Sequence, residues 1–202
     1  MSFYHERVLP HLVNMAMRNA TLEPYRRRVV AAARGRVLEI GVGSGFNLPL
    51  YETATHVIGL DPSAKLLSMA RSIGGVRPSI ELVEGVAEAI PLPGHSVDTV
   101  VSTWTLCTIP DVRCALAEMR RVLKPEGRLL FAEHGRSSEQ RVVRWQDRLT
   151  PLWKCIAGGC HLNRPIEQLI REAGFRVEAL ETGYMKGPKA MTFMYEGVAR
   201  PL

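Results

Sequence analysis

No apolar run in the 202-residue chain reaches the about 18 residues that a membrane-spanning helix needs. Nor does the amino terminus read as a secretory leader: Met1–Arg7 already mixes His, Glu and Arg, and no sustained apolar stretch follows before Arg18. These absences make cytoplasm the expected compartment. Cysteine is scarce. Cys107, Cys114, Cys155 and Cys160 form no CxxC pair and have no zinc-ligand spacing, so reduced thiols and no metal are expected. Aromatic residues make up only 6% of the chain, and none interleaves with a basic run in the manner of a nucleic-acid-binding segment. The net charge of +6 is scattered, and its densest cluster, Arg26-Arg27-Arg28, reads as a solvated helix face. That balance excludes nucleic acid as a partner and leaves at most peripheral contact with an anionic membrane.

What is present is ordinary globular composition, 46% hydrophobic and 23% charged, with enough length for one domain. The stretch Val37–Gly45 organises it. A continuous apolar run fits a strand covered on both faces, and it leads into three alternate glycines, Gly41, Gly43 and Gly45. Glycines there permit positive φ and close approach of backbone to a ligand. Glu39, two residues before the first of them, falls near the carboxyl edge where open α/β sheets bind ligands.

Before this strand, Val8, Leu9, Leu12, Val13 and Ala16 share one helical face, and a second helix is expected from Pro24 to a stop at Arg34-Gly35. After it, elements alternate: a short helix near Phe46–Tyr51, strand His56–Asp61, a helix opened by Pro62-Ser63, strand Ile80–Val83, strand Val97–Ser102, helix Asp111–Lys124 and strand Arg128–Glu133. A helix over Ser137–Ile156 is expected to break at Pro151. Pro165–Ala173 reads as helix, and Phe175–Thr182 with Met191–Ala199 as an antiparallel hairpin at the sheet edge.

Asp61 stands twenty residues after Gly41, the spacing at which an acidic side chain reaches a ribose hydroxyl pair. A dinucleotide site uses G-x-G-x-x-G to aim a helix at a pyrophosphate. Here the pattern is E-x-G-x-G-x-G, and a carboxylate beside the turn suits the ammonium of an amino-acid moiety. S-adenosylmethionine is therefore favoured over NAD.

Glu39–Gly45, Asp61, Glu84–Leu92, Ser96–Val101 and Arg120–Gly127 together resemble the class I S-adenosylmethionine-dependent methyltransferases, in the small-molecule branch known as methyltransferase type 11. That likeness covers Val37–Glu133, and the branch includes, as a more distant resemblance, the ubiquinone/menaquinone-type methyltransferases. The segment Glu133-His134, Trp145, Pro151, Trp153 and Gly159–Arg164 resembles methyltransferase-like proteins whose animal members methylate alkyl thiols.

The resemblance implies a Rossmann-like α/β fold: a seven-stranded, mostly parallel sheet with an antiparallel C-terminal hairpin, helices on both faces and an N-terminal helical lid. Within one domain it implies a cap over 1–35, a cofactor-binding core over 36–134 and acceptor-side helices with the hairpin over 135–202. Cofactor contacts are expected from Glu39, Gly41, Gly43, Gly45, Asp61, Pro62, Val86, Ala87 and Thr103. Relatives commonly carry Asp where this chain has Val86, so adenine is expected to be held by backbone and apolar packing. On the acceptor side His134 leads, as a strand-end imidazole able to titrate near neutral pH, followed by His161, Asn163 and Cys160. Trp104, Trp145 and Trp153 are candidate walls of an apolar pocket. The expected reaction is direct methyl displacement to a small-molecule acceptor, a thiol first, with a quinone or phospholipid headgroup as the rival and a non-catalytic cofactor- or NAD-binding module as the distant alternative.

Overall fold

The computed structural model describes residues 7–73 and 79–202, the Thr55 side chain apart. The part of the expected N-terminal cap before residue 7 lies outside that range. Seven strands form one sheet in the order β3-β2-β1-β4-β5-β7-β6. They are β1 (Gly35–Ile40), β2 (Ala54–Asp61), β3 (Ser79–Glu84), β4 (Val97–Thr103), β5 (Leu123–His134), β6 (Phe175–Tyr184) and β7 (Phe193–Pro201). The first five run parallel, β7 pairs antiparallel with β5, and β6 pairs antiparallel with β7 at the edge. The chain order reverses between β1 and β4, which opens a crevice at their carboxyl ends.

Strand side chains alternate between two cores. Leu38, Ile40, Val100, Leu129 and Phe131 pack against α4 (Val112–Val122) and α6 (Ile166–Glu172). Val37, Val57, Val101 and Leu130 pack on the other face against α2 (Glu23–Ala31) and α3 (Ala64–Ala70). Two of these helices are capped as their sequences suggest: Ser63 Oγ accepts from Leu66 N, and Asp111 Oδ1 accepts from Cys114 N. The remaining helices are α1 (Leu9–Met17), α5 (Gln140–Ile156) and the single turn α7 (Lys189–Thr192). No helix among the described residues is long and apolar enough to cross a membrane.

Four expectations are corrected. The short helix after the glycines is only a 3-10 turn over Leu48–Leu50. Helix α2 ends at Ala31, and Gly35, with φ of +66°, opens β1 instead of stopping the helix. In α1, Val8 and Leu12 are exposed, whereas Pro10 is buried and Leu9 and Val13 are half-buried, so only part of the expected apolar face packs inward. Finally, α5 runs unbroken through Pro151. Proline removes one backbone donor and crowds the preceding turn. The helix persists because its inner face is anchored elsewhere: Gln146 Nε2 donates to the carbonyls of Gly135 and Leu162, and its Oε1 accepts from Ser137 N.

Candidate active site

The glycine turn follows directly from β1. Gly41, Gly43 and Gly45 have φ of +67°, +56° and +84°, the left-handed region that side chains avoid. A methyl on Gly41 would run into Thr105, and one on Gly45 into Ile73 and Leu48. A methyl on Gly43 would meet only the Gly41 carbonyl, at 3.9 Å, so the space above this residue is open. Asp61, buried at the end of β2, holds the turn in place. Its Oδ2 accepts from Gly43 N at 2.9 Å and its Oδ1 from Ser63 N at 2.8 Å, while burial raises its pKa against those two bonds.

Glu39 does not lie in the open crevice. It is only 2% exposed, with Oε1 accepting from Asn47 Nδ2 at 2.9 Å and Oε2 from Tyr51 Oη at 2.8 Å. Burial pushes its carboxyl up to about 7, against the pull of the Tyr51 and Asn47 bonds and of Arg26. Asn47 also donates to Thr103 Oγ1 at 3.0 Å, which joins the ends of β1 and β4. Its own carbonyl, Oδ1, is buried and finds no donor among the described residues. A buried acceptor left unpaired costs about 1–3 kcal/mol, so it marks a place where a donor belongs.

Arg26 is a further correction. Its guanidinium is buried within cation–π distance of Phe46 and Trp104, at 5.2 Å and 5.3 Å from their ring centroids, and desolvation lowers its pKa against the field of Glu39. Arg27 pairs with Glu23 on the surface, and Arg28 with Glu196. The triplet is thus three separate contacts rather than one solvated face. Helical geometry turns successive residues by about 100°, so adjacent arginines cannot share a surroundings.

Pro62 is exposed beside the capping Ser63, Val86 is 46% exposed, and Ala87 is buried. Thr103 is buried at the end of β4. Just beyond it, Trp104 has φ of +50°, strain for a bulky residue of the kind found where a site over-determines the backbone. Its N–H reaches the Ala132 carbonyl at 2.9 Å and its ring meets Tyr25 edge-on.

At the end of β5, Glu133 is fully buried. Oε1 accepts from Ser102 Oγ at 2.7 Å and from Thr105 N at 3.0 Å, whereas Oε2 has no donor among the described residues. Burial drives its carboxyl to about 7. His134 does not titrate near neutral pH. Burial lowers its pKa to about 4, so the imidazole is neutral, with Nε2 3.2 Å from Cys160 Sγ. Cys160 is not solitary either: Cys107, His134 and Cys160 converge, all three buried. His161 is half-buried, its backbone N–H donating to the Cys107 carbonyl at 2.8 Å. Asn163 points away, to Asp147 at 2.8 Å. Trp145 is 57% exposed, with the Arg148 guanidinium 5.8 Å from its ring centroid, and Trp153 is half-buried. Helix α1 touches both the glycine turn and the loop after α5: Ser44 Oγ donates to Asn14 Oδ1 at 2.7 Å, and Leu9 lies against Gly158.

A concavity of about 870 Å³ lies elsewhere, lined by His95, Arg120, Pro125 and Pro201 at the opposite ends of the strands, remote from these groups.

Residues 38–131 match the methyltransferase domain family. Over 178 residues the chain is 30% identical to a phosphatidylethanolamine N-methyltransferase of Cereibacter sphaeroides, covering 85% of this chain and 86% of that protein. This chain belongs to the methyltransferases. It is also 34% identical over 153 residues to the thiol S-methyltransferase TMT1B of Rattus norvegicus, spanning 72% of this chain but 62% of that protein's length. A crystal structure of an S-adenosylmethionine-dependent methyltransferase from Thermotoga maritima has the same fold, with a TM-score of 0.69, 22% identity and coverage of 97% and 98%.

The open space over Gly43 and the unpaired Asn47 Oδ1 fit such a cofactor: one admits close approach of a ligand and the other lacks the kind of donor an ammonium group supplies. Cys107, in the segment Thr103–Cys107 that follows β4, is an acceptor-side candidate from the sequence, whereas Arg26, Asn47 and Tyr51 escaped the sequence reading: none lies in a recognisable spacing, and only the packing of α2 and of the segment after β1 brings them to Glu39 and the strand ends.

Proposed function

We propose that the chain transfers a methyl group from S-adenosylmethionine to a small thiol by direct displacement, in the cytoplasm. The unpaired Asn47 Oδ1 beside the glycine turn carries the cofactor half of this reading. The turn Gly41–Gly45 would hold the amino-acid portion, Asp61 with Pro62 the ribose, and Val86 with Ala87 the adenine. Glu39 and Thr103 act through Asn47, by orienting its amide. Displacement at a sulfonium needs alignment of nucleophile and methyl and exclusion of water more than a strong base. A thiol, with an ordinary pKa near 8.5, needs only modest help. The acceptor would enter between α1, the end of β5 at His134 and the loop carrying Cys160 and His161, with α1 acting as a lid and the 1–35, 36–134 and 135–202 segments dividing the labour as cap, cofactor core and acceptor side. The similarity to thiol methyltransferases supports this choice.

A phospholipid headgroup is the second reading. Trp145, Leu152 and Ile156 are exposed along α5, a helix that also carries Arg141, Arg144, Arg148 and Lys154, and such a surface suits an anionic interface.

Labelled S-adenosylmethionine offered with small alkyl thiols, a demethylated quinone and phosphatidylethanolamine vesicles tests both. Label on the thiol is expected. Label on lipid or quinone alone would replace the thiol assignment, and calorimetric binding of NAD in place of S-adenosylmethionine would remove the reaction altogether. His134→Ala is expected to lower the rate at least about tenfold with cofactor affinity unchanged.

A further inference from the structure

Three segments distant in sequence bring Cys107, His134 and Cys160 together: the loop after β4, the end of β5 and the loop after α5. Their ligand atoms all lie within 4.8 Å of one another, and the residues are only 3%, 9% and 9% exposed. Among the described residues this is the one group of three or more His, Cys, Asp or Glu side chains so arranged. We propose that these three side chains bind a thiophilic divalent cation, zinc first, through Cys107 Sγ, Cys160 Sγ and His134 Nε2.

The donor set decides the class of ion. Two sulfurs and one imidazole nitrogen match zinc, whose tetrahedral bonds of about 2.3 Å to sulfur and about 2.0 Å to nitrogen place a sulfur and a nitrogen about 3.5 Å apart and two sulfurs about 3.8 Å apart. The 3.2 Å between His134 Nε2 and Cys160 Sγ needs only a small outward relaxation to admit the ion. Hard cations that prefer carboxylate and carbonyl oxygens have no comparable shell here.

Charge decides the rest. Binding releases the two thiol protons, and the two thiolates then neutralise the ion, so no net charge enters the buried pocket. Two bare thiolates in the same place would each bear a large desolvation cost. Arg164 supports the sulfurs, since its guanidinium bonds the Leu106 carbonyl and its field reaches both cysteines and Glu133. The His161 N–H to Cys107 carbonyl bond ties the two loops independently of any ion, so the ligands are held close beforehand. A disulfide between the cysteines would leave the imidazole without a partner. Three protein ligands rather than four also leave one position for water or a substrate atom, the pattern of zinc sites that take part in reactions.

The full chain, purified under reducing conditions from zinc-supplemented culture and dialysed without chelator, is the test material. Elemental analysis is expected to find one zinc per chain. Cobalt(II) added to the stripped protein should give tetrahedral visible bands and sulfur-to-cobalt charge transfer in the near ultraviolet, a readout independent of activity and of the folding of any variant. Cys107→Ser and Cys160→Ser should each remove the zinc and the charge-transfer band, whereas Cys114→Ser with Cys155→Ser, both exposed in the fold, should leave them intact. Reduced, folded protein that yields neither zinc nor the cobalt spectrum would overturn the proposal, as would zinc retained by Cys160→Ser. So would the mass shift of a Cys107–Cys160 disulfide in metal-free protein that binds no cobalt after reduction.

Discussion

Asp61 reaches across from the end of β2 to Gly43, its Oδ2 accepting that residue's N–H at 2.9 Å while Oδ1 takes the N–H of Ser63. One buried carboxylate therefore fixes both the turn and the start of α3. Asp61→Asn keeps the shape but offers an amide N–H to one of two N–H donors. It is expected to cost about 1–3 kcal/mol of stability and to weaken S-adenosylmethionine binding. Urea denaturation and calorimetry check both; an unchanged midpoint would refute the bridging role.

Glu39 makes stability depend on pH. Its carboxyl, held at about 7 in the folded chain against 4.5 ordinarily, stays protonated where the unfolded chain has already lost the proton. The associated stability is present below about pH 4.5 and is lost as pH rises through about 7, on the order of 3 kcal/mol in total. Glu39→Gln should flatten that part of the curve, and chemical denaturation at intervals from pH 5 to 8 compares the two. If the cofactor's ammonium favours the ionised carboxyl, binding below about pH 7 should release a proton, measurable by calorimetry in buffers of different ionisation enthalpy.

The glycines separate stability from binding. Gly43→Ala meets open space and bears only the left-handed backbone cost of about 1–2 kcal/mol, so it should fold yet bind cofactor at least about tenfold more weakly because its methyl stands in the ligand's space. Gly41→Ala adds a collision with Thr105 and should lose more stability. Equal melting temperatures for the two would contradict this division.

Pro151 sits exposed inside a continuous α5, where it removes one backbone donor from the helix without breaking it. Pro151→Ala should raise stability by up to about 3 kcal/mol. A lower melting temperature would show that the proline shapes the helix for another purpose.

Val86 offers no side-chain acceptor to the adenine amine. A cofactor analogue lacking that amine should bind nearly as well as the parent; a loss above about 2 kcal/mol would require a buried polar partner.

Much of the fold was legible because its signals are local. Apolar runs ending in glycine, Asp or Ser marked β1, β2 and α3 to within a few residues, and the alternation of elements implied the parallel sheet. Pro151 misled because propensity is weak against tertiary anchoring: the Gln146 bonds hold the helix through it. Arg26 misled because a run of like charges reads as one face, whereas a helix turns adjacent residues about 100° apart.

The sequence alone determined the ligand turn, since glycines at 41, 43 and 45 with Asp61 are required by backbone conformation and by the chain path from β1 to β2. It also determined the family, through motifs carried in order. Only the tertiary structure decided the states of the polar groups. Burial makes Glu39 and Glu133 weak acids and keeps His134 neutral, and burial is a property of surroundings that no short stretch contains. It also decided that Cys107, His134 and Cys160 meet, because the sheet sets the ends of β4 and β5 side by side and the loop after α5 is tied to them through the His161 N–H to Cys107 carbonyl bond.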